Sequence, residues 1–160
     1  MKNISLNSKG FTMAEMLVTM GILAILAVAI LPLAKNAVKR EKEIELRRGL
    51  RILRTAIDEY KKMADEKKFE FDEDTEGYPP NLDILVEGVE VKAEKDSEEE
   101  TKIHKFLRRI PKEPMSNSLE WGLRAYDDDP DSNSWGGDNV YDVYTRSPGI
   151  ALDGSYYRDW

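Results

Sequence analysis

The 160-residue chain contains no cysteine, which excludes disulfide staples, thiol catalysis and thiolate metal sites and leaves the redox compartment open. Histidine is almost as scarce, with His104 alone in a stretch of charged residues. Serine, aspartate and glutamate are plentiful, but none falls in a nucleophile elbow, a phosphate loop or a metalloprotease spacing. With so few convergent bases and ligands, the chain is expected not to be an enzyme. Positive charge is in deficit too, with 24 Lys and Arg against 31 Asp and Glu and a formal charge of −7. That balance argues against nucleic acid or an anionic lipid surface as the partner of the exposed part.

The charge is unevenly spread. Residues 16–34 form 19 consecutive uncharged positions, extended by residues 11–14 on the other side of Glu15. A helix needs about 20 apolar residues to cross a bilayer, so this segment is long enough to span. A cleaved secretory signal is the competing reading, because Lys2 and Lys9 precede the run and Ala27-Val28-Ala29 suits a signal peptidase. Glu15 speaks against it. An acid near the centre of an inserted helix costs about 2.5 to 3.5 kcal/mol, judged from the comparable aspartate, so it asks for a partner.

The sequence Lys9-Gly10-Phe11-Thr12-Met13-Ala14-Glu15-Met16-Leu17-Val18 resembles the processing motif of type IV pilins and pseudopilins, with Met13 where leucine is commoner. The resemblance implies cleavage after Gly10 by a prepilin peptidase, methylation of the new amine on Phe11, and pairing of Glu15 with the amine of a neighbouring subunit. Removal of Lys2 and Lys9 with the leader takes the formal charge from −7 to −9. Lys35, Lys39, Arg40 and Lys42 beyond the run outnumber the two leader lysines, so charge alone does not fix orientation. The resemblance does: leader in the cytoplasm, single-pass anchor in the bacterial inner membrane, C-terminal domain in the periplasm. Pro32 lacks an amide hydrogen and is expected to kink or loosen the helix, either as ordinary membrane-helix tolerance or in filament packing.

Past the anchor, Leu46, Leu50, Leu53, Ile57, Tyr60 and Ala64 recur at alternating spacings of four and three, with charged residues between them. This predicts an amphipathic continuation of the same helix whose apolar stripe packs on the globular domain. A coiled-coil partner is the alternative. Gly77 and Pro79-Pro80 are expected to stop the helical pattern, residues 81–86 to form a short helix closed by Gly88, and residues 87–100 to be a solvated acidic loop. Ser97 and Glu100 resemble a capping box, which predicts a helix ending before Pro111 with Ile103, Phe106 and Leu107 on its buried side and His104 exposed. Residues 119–126 and 140–147 read as extended, separated by a turn-rich loop around Trp135-Gly136-Gly137, with alternation suited to one packed face. The fold class is α+β: a long N-terminal helix, transmembrane then amphipathic, packed on a small antiparallel sheet, as in type IV pilins. The domains expected are a leader at residues 1–10, an anchor and filament core at 11–34, and a periplasmic domain at 35–160.

The second half resembles the major pseudopilin of type II secretion, pseudopilin G. The matching stretches are Tyr78-Pro79 with residues 82–86, Arg109-Ile110-Pro111-Lys112-Glu113-Pro114, Tyr141-Asp142-Val143-Tyr144 with Ser147 and Gly149, and Asp159-Trp160. That family binds calcium near its C-terminus, which implies Asp153, Ser155 and Asp159 as ligands here. The set is lean for an ion that takes six to eight oxygens, Gly149 stands near an expected acid, and Tyr156-Tyr157-Arg158 fills the space before Asp159. Packing of Tyr156, Tyr157 and Trp160 is an alternative staple. A second acidic group, Asp127, Asp128, Asp129 and Asp131, lacks the glycine and glutamate of an EF-hand and reads as a solvated loop. The resemblance implies a homo-oligomeric helical filament that drives protein export, with prepilin peptidase, minor pseudopilins and an inner-membrane platform protein as partners. A type IV pilin for adhesion, motility or DNA uptake and a membrane-anchored binding domain that never polymerises are the rivals.

Overall fold

The computed structural model describes residues 10–91 and 102–160. The chain divides into two compact units, Met1–Lys39 and Arg40–Trp160. Helix α1, Met13–Asp65, has residues in both and continues through Pro32. It starts where Thr12 Oγ1 accepts the amide of Glu15 at 3.2 Å and Thr12 O accepts the amide of Met16 at 3.1 Å. Thr12 and Glu15 thus stand as the first and fourth residues of a capping-box sequence, and one otherwise orphaned N–H is satisfied.

In the Arg40–Trp160 unit the alternating apolar stripe becomes the core seam. Leu46, Leu50, Leu53, Ile57, Tyr60 and Ala64 are all buried. They pack against Phe69, Leu82, Leu85, Leu107, Trp121, Val140, Val143, Ala151 and Tyr157, so one helix face supplies about half of a single core. Gly49 lets that face come close to the second half: a Cβ there would lie 3.1 Å from the Trp121 ring.

Helix α1 ends at Asp65, well before Gly77 and Pro79-Pro80, which corrects the expected stop. Lys67 adopts φ 54°, its amide donates to Ala64 O at 2.9 Å, and the Lys68 amide donates to Met63 O at 3.1 Å. This is the Schellman pattern, made with a lysine where glycine is usual, so no glycine advertised it. A 3₁₀ turn at Glu73–Thr75 and the short helix α2, Ile84–Glu87, follow. Residues 81–83 lie outside α2, and Asn81 Oδ1 accepts the amide of Ile84 at 3.0 Å. The expected closure by Gly88 is found, its amide donating to Ile84 O at 2.8 Å.

Two antiparallel pairs complete the α+β arrangement. Strand β1, Val89–Val91, pairs with β2, Lys102–His104, and β3, Gly122–Arg124, pairs with β4, Asp142–Tyr144. Strand β1 replaces the start of the expected acidic loop, and β2 replaces part of the expected helix before Pro111. Ile103, expected on a buried helix face, is exposed on β2, while Leu107 is buried and Phe106 half-buried as their amides close onto Leu85 O. Strand pairing with β1 overrides the local pattern here. The capping-box residues Ser97 and Glu100 lie outside the described residues. His104 is half-buried, its Nε2 3.2 Å from Glu59 Oε1 and its ring 4.9 Å from that of Phe106. Strand β4 is not one-faced either: Val143 and Thr145 are buried, and so are Val140 and Tyr144. Tyr144 lies across Gly122, where a Cβ would come within 2.4 Å of the ring.

One buried acid ties the loops together. Glu113 is 1% exposed, and its carboxylate accepts the amides of Met115 and Ser116 and the hydroxyls of Ser116 and Thr145. Burial alone would push the carboxyl up, but these hydrogen bonds outweigh it and hold the group below the ordinary glutamate range. An amide in its place would turn two donors toward existing donors. In a fragment beginning at Asn36, which retains every side chain buried among the described residues, Glu113→Gln is expected to cost about 2 kcal/mol, roughly 8 °C in melting midpoint. Because the folded-state pKa is depressed, the stabilisation is present above the unfolded value of about 4.3 and lost as pH falls through the folded value. Thermal scans from neutral pH downward should therefore show the wild-type and Gln curves converging below about pH 4.

Candidate functional site

The N-terminal part of α1 is defined by what it leaves uncovered. Thirteen large apolar side chains between Met13 and Leu33 are exposed, among them Leu17 at 69% and Ile25 at 72%. Shielding such a side chain from water is worth about 1.5 to 3 kcal/mol, so even partial exposure of thirteen outweighs the 5 to 15 kcal/mol that holds an ordinary domain together. The segment is long and apolar enough to cross a membrane, and residues 13–34 rise about 33 Å, close to a hydrocarbon core.

Gly10 and Phe11 precede the first helical residue, outside any regular element, and both are exposed. The peptide bond between them is therefore exposed and outside the helix. Glu15 is the third residue of α1 and is exposed. A carboxylate in the first turn complements the partial positive charge of the helix N-terminus, whereas an amine placed on Phe11 would meet that charge unfavourably. Gly10, Phe11 and Glu15 lie within six positions of one another, while Pro32 lies about 25 Å farther along the helix.

Asp153, Ser155 and Asp159 are each engaged with protein partners. Asp153 Oδ1 accepts the amide of Ser155 at 3.0 Å and its hydroxyl at 2.6 Å, and Oδ2 faces Arg47 at 3.4 Å. The Ser155 bonds, with Arg47 beside them, hold the Asp153 carboxyl below the usual carboxylate range. Ser155 Oγ also accepts from Trp160 Nε1 at 2.8 Å, and Asp159 faces Arg158 at 3.5 Å. Among the described residues no group of three or more His, Asp or Glu side chains is arranged to hold a metal ion. The donors are turned toward one another and toward an arginine, so this arrangement does not fit calcium.

Besides the core contacts of Val143, Ala151 and Tyr157, residues 142–160 are held by a polar stripe on α1 that sequence reasoning missed. Glu43 Oε1 accepts the Leu152 amide at 2.8 Å and the Tyr157 hydroxyl at 2.9 Å. Burial, with Glu43 adding to it, pushes the Tyr157 hydroxyl up to about 12. Arg47 stacks on the Trp160 ring at 4.0 Å. Arg54 grips both carboxylate oxygens of Asp142, at 2.7 and 3.2 Å, and donates to Trp160 O at 2.7 Å and Val143 O at 3.2 Å. At 100° per residue, positions 43, 47 and 54 fall within about 40° of one another around the helix. The spacing was readable; its partners, about a hundred residues away, were not. The aromatic staple is partly realised, with Tyr157 buried edge-on to Trp160 at 5.2 Å and Tyr156 left 50% exposed.

The Arg47–Asp153 pair is more than half exposed and contributes little, whereas Arg54 is a half-buried fork with four bonds. In the fragment from Asn36, Arg54→Ala is expected to lower stability by about 1 to 2 kcal/mol and Arg47→Ala by less. The melting midpoint of the wild-type fragment should be the same in millimolar calcium and in chelator. A calcium-dependent rise abolished by Asp153→Ala would show that the loop rearranges around the ion.

Residues 5–31 match the family model described as the prokaryotic N-terminal methylation motif. No curated protein and no solved structure matches the chain. The matched residues cover the Gly10–Phe11 junction, Glu15 and most of the exposed apolar face. In this N-terminal region the chain therefore carries a prokaryotic N-terminal methylation motif on a helix long and apolar enough to cross a membrane.

Proposed function

We propose that this protein is a pseudopilin: a structural subunit cut between Gly10 and Phe11 by a prepilin peptidase, methylated on Phe11, and stored in the bacterial inner membrane through residues 11–34. Its domain then lies in the periplasm. From that store, subunits enter a helical filament of the type II secretion kind, whose growth drives export together with minor pseudopilins and an inner-membrane platform protein. The methylation motif, lying on a helix whose apolar face has no cover in the monomer, carries this reading. The pseudopilin G-like stretches of the second half favour export over a pilus.

Glu15 supplies the assembly step. In hydrocarbon an ionised carboxylate is expensive unless paired, and the Phe11 amine of an adjoining subunit is the cation that assembly brings within reach. That amine is in turn disfavoured at the N-terminus of its own helix, so both charges gain from meeting across the interface. Only one axial offset joins them, which fixes the stagger of neighbouring helices. Pro32, in the same helix, belongs to the packed filament core.

Glu15→Ala is expected to leave membrane level and leader cleavage at or above the wild-type values and to cut filament yield at least tenfold. The three quantities are scored separately by membrane fractionation, mass spectrometry and sedimentation of sheared filaments. Normal filaments from the cleaved alanine variant would remove charge pairing from the mechanism.

A further inference from the structure

The Arg40–Trp160 unit carries two unlike, unpartnered surfaces. The first is a basic edge. Arg108, Arg109 and Lys112 are exposed, and their side chains make no ion pair or hydrogen bond among the described residues. In a chain of formal charge −7 with 31 carboxylates, three free cations within five residues are conspicuous. They border a groove of about 960 Å³ that also receives Leu119, an apolar side chain 56% exposed. Glu45, Asp83 and Glu87 line the groove as well, but none of them pairs with the basic edge among the described residues.

The second surface is aromatic and acidic. Tyr78 and Tyr126 stack with ring centroids 5.8 Å apart, Tyr141 meets both edge-on at 5.3 and 5.4 Å, and Tyr126 and Tyr141 remain 51% and 47% exposed. Tyrosine and arginine are the side chains most enriched at protein interfaces, and guanidinium groups settle on exposed aromatic faces. The turn after Tyr126 presents Asp127, Asp129 and Asp131, exposed and with no side-chain partner among the described residues. Asp128 is the exception, its carboxylate spent on the amides of Ala125 and Gly136, which holds the turn in shape.

The two surfaces sit at different levels of α1. Pro111, within the basic edge, accepts the Trp121 indole N–H at 2.9 Å, and Trp121 packs on Gly49. The tyrosines instead meet Lys61, whose ammonium lies 5.3 Å from the Tyr78 ring. Twelve residues of helix separate Gly49 from Lys61, about 18 Å along the axis. A domain whose complementary patches are displaced along its helix can satisfy them with a second copy shifted in that direction. Such a contact uses different patches on the two copies, so it does not close into a dimer and leaves one patch open at each end for the next copy.

We infer that the Arg108–Arg109–Lys112 edge of one copy docks on the Tyr126–Tyr141 surface and Asp127–Asp129–Asp131 turn of the next, forming the head-to-tail contact between globular domains in the filament. This rests on the polymerising function proposed above. It adds a domain-level contact, electrostatic and cation–π in character, to the contact between anchor helices.

The test is reversal and compensation in the full-length, membrane-expressed protein, with filament yield read by sedimentation and domain folding read by the melting midpoint of the matching soluble fragment. Arg108→Glu with Arg109→Glu, and separately Asp127→Arg with Asp129→Arg, should each lower filament yield about tenfold without moving the midpoint by more than a few degrees. Joining all four substitutions should restore yield to within about twofold of wild type. Unchanged yield in the two one-sided variants overturns the inference and leaves polymerisation standing. Loss in both without recovery in the joined variant also overturns it. No filaments from the wild-type chain, though processed and membrane-bound, would overturn the inference and the polymer reading together. As a second readout the cysteine-free background allows Arg109→Cys and Asp129→Cys with a flexible bismaleimide. A ladder of multimers only when both are present supports the contact, and sedimenting filaments without a ladder contradict it.

Discussion

The constraint on which the rest depends is the uncovered apolar surface of the first half of α1. Thirteen exposed aliphatic and thioether side chains cannot stay in water at a cost larger than the stability of a domain. In the function proposed above, hydrocarbon covers them while the subunit is stored, and other copies of the same helix cover them after assembly. The exchange between these environments is inexpensive because both are apolar, so a few polar features decide when and how it happens. Glu15, at the third position of the helix, is the one formal charge within that surface.

The second unit is built so that it needs none of this. Its core begins at Leu46 and draws on α1 for one wall only. Three polar residues on α1, Glu43, Arg47 and Arg54, fasten residues 142–160 by direct hydrogen bonds. The Arg54 guanidinium ties Asp142, Val143 and Trp160 to the helix. Glu113 performs the same service on the neighbouring loop, collecting two amides and two hydroxyls on one buried carboxylate.

The parts legible in the sequence were those with a period. The uncharged run and the four-three stripe from Leu46 to Ala64 translate directly into exposure and burial, because helical geometry alone sorts residues onto faces. Elements decided by partners far along the chain were not legible. Residues 102–104 look helical beside their charged neighbours, yet pair with Val89–Val91 as a strand. The end of α1 was misplaced because Lys67 takes the left-handed conformation that glycine usually signals. At the N-terminus the Gly10–Phe11 junction and Glu15 were visible as a local motif, whereas the Thr12 cap beside them was overlooked although its spacing to Glu15 is a recognised one. The Arg54 fork and the tyrosine surface involve residues tens of positions apart, and no local pattern announces them.

A leader that is removed while the apolar helix is kept is the central claim, since cleavage anywhere else yields a different protein. Mass spectrometry of the intact protein purified from membranes, with sequencing of its first residues, tests it directly. The expected chain begins at Phe11 and is heavier than the unmodified sequence by one methyl group on its amine. A chain that begins near Ile30, or one that retains Met1 in cells containing an active prepilin peptidase, would contradict it.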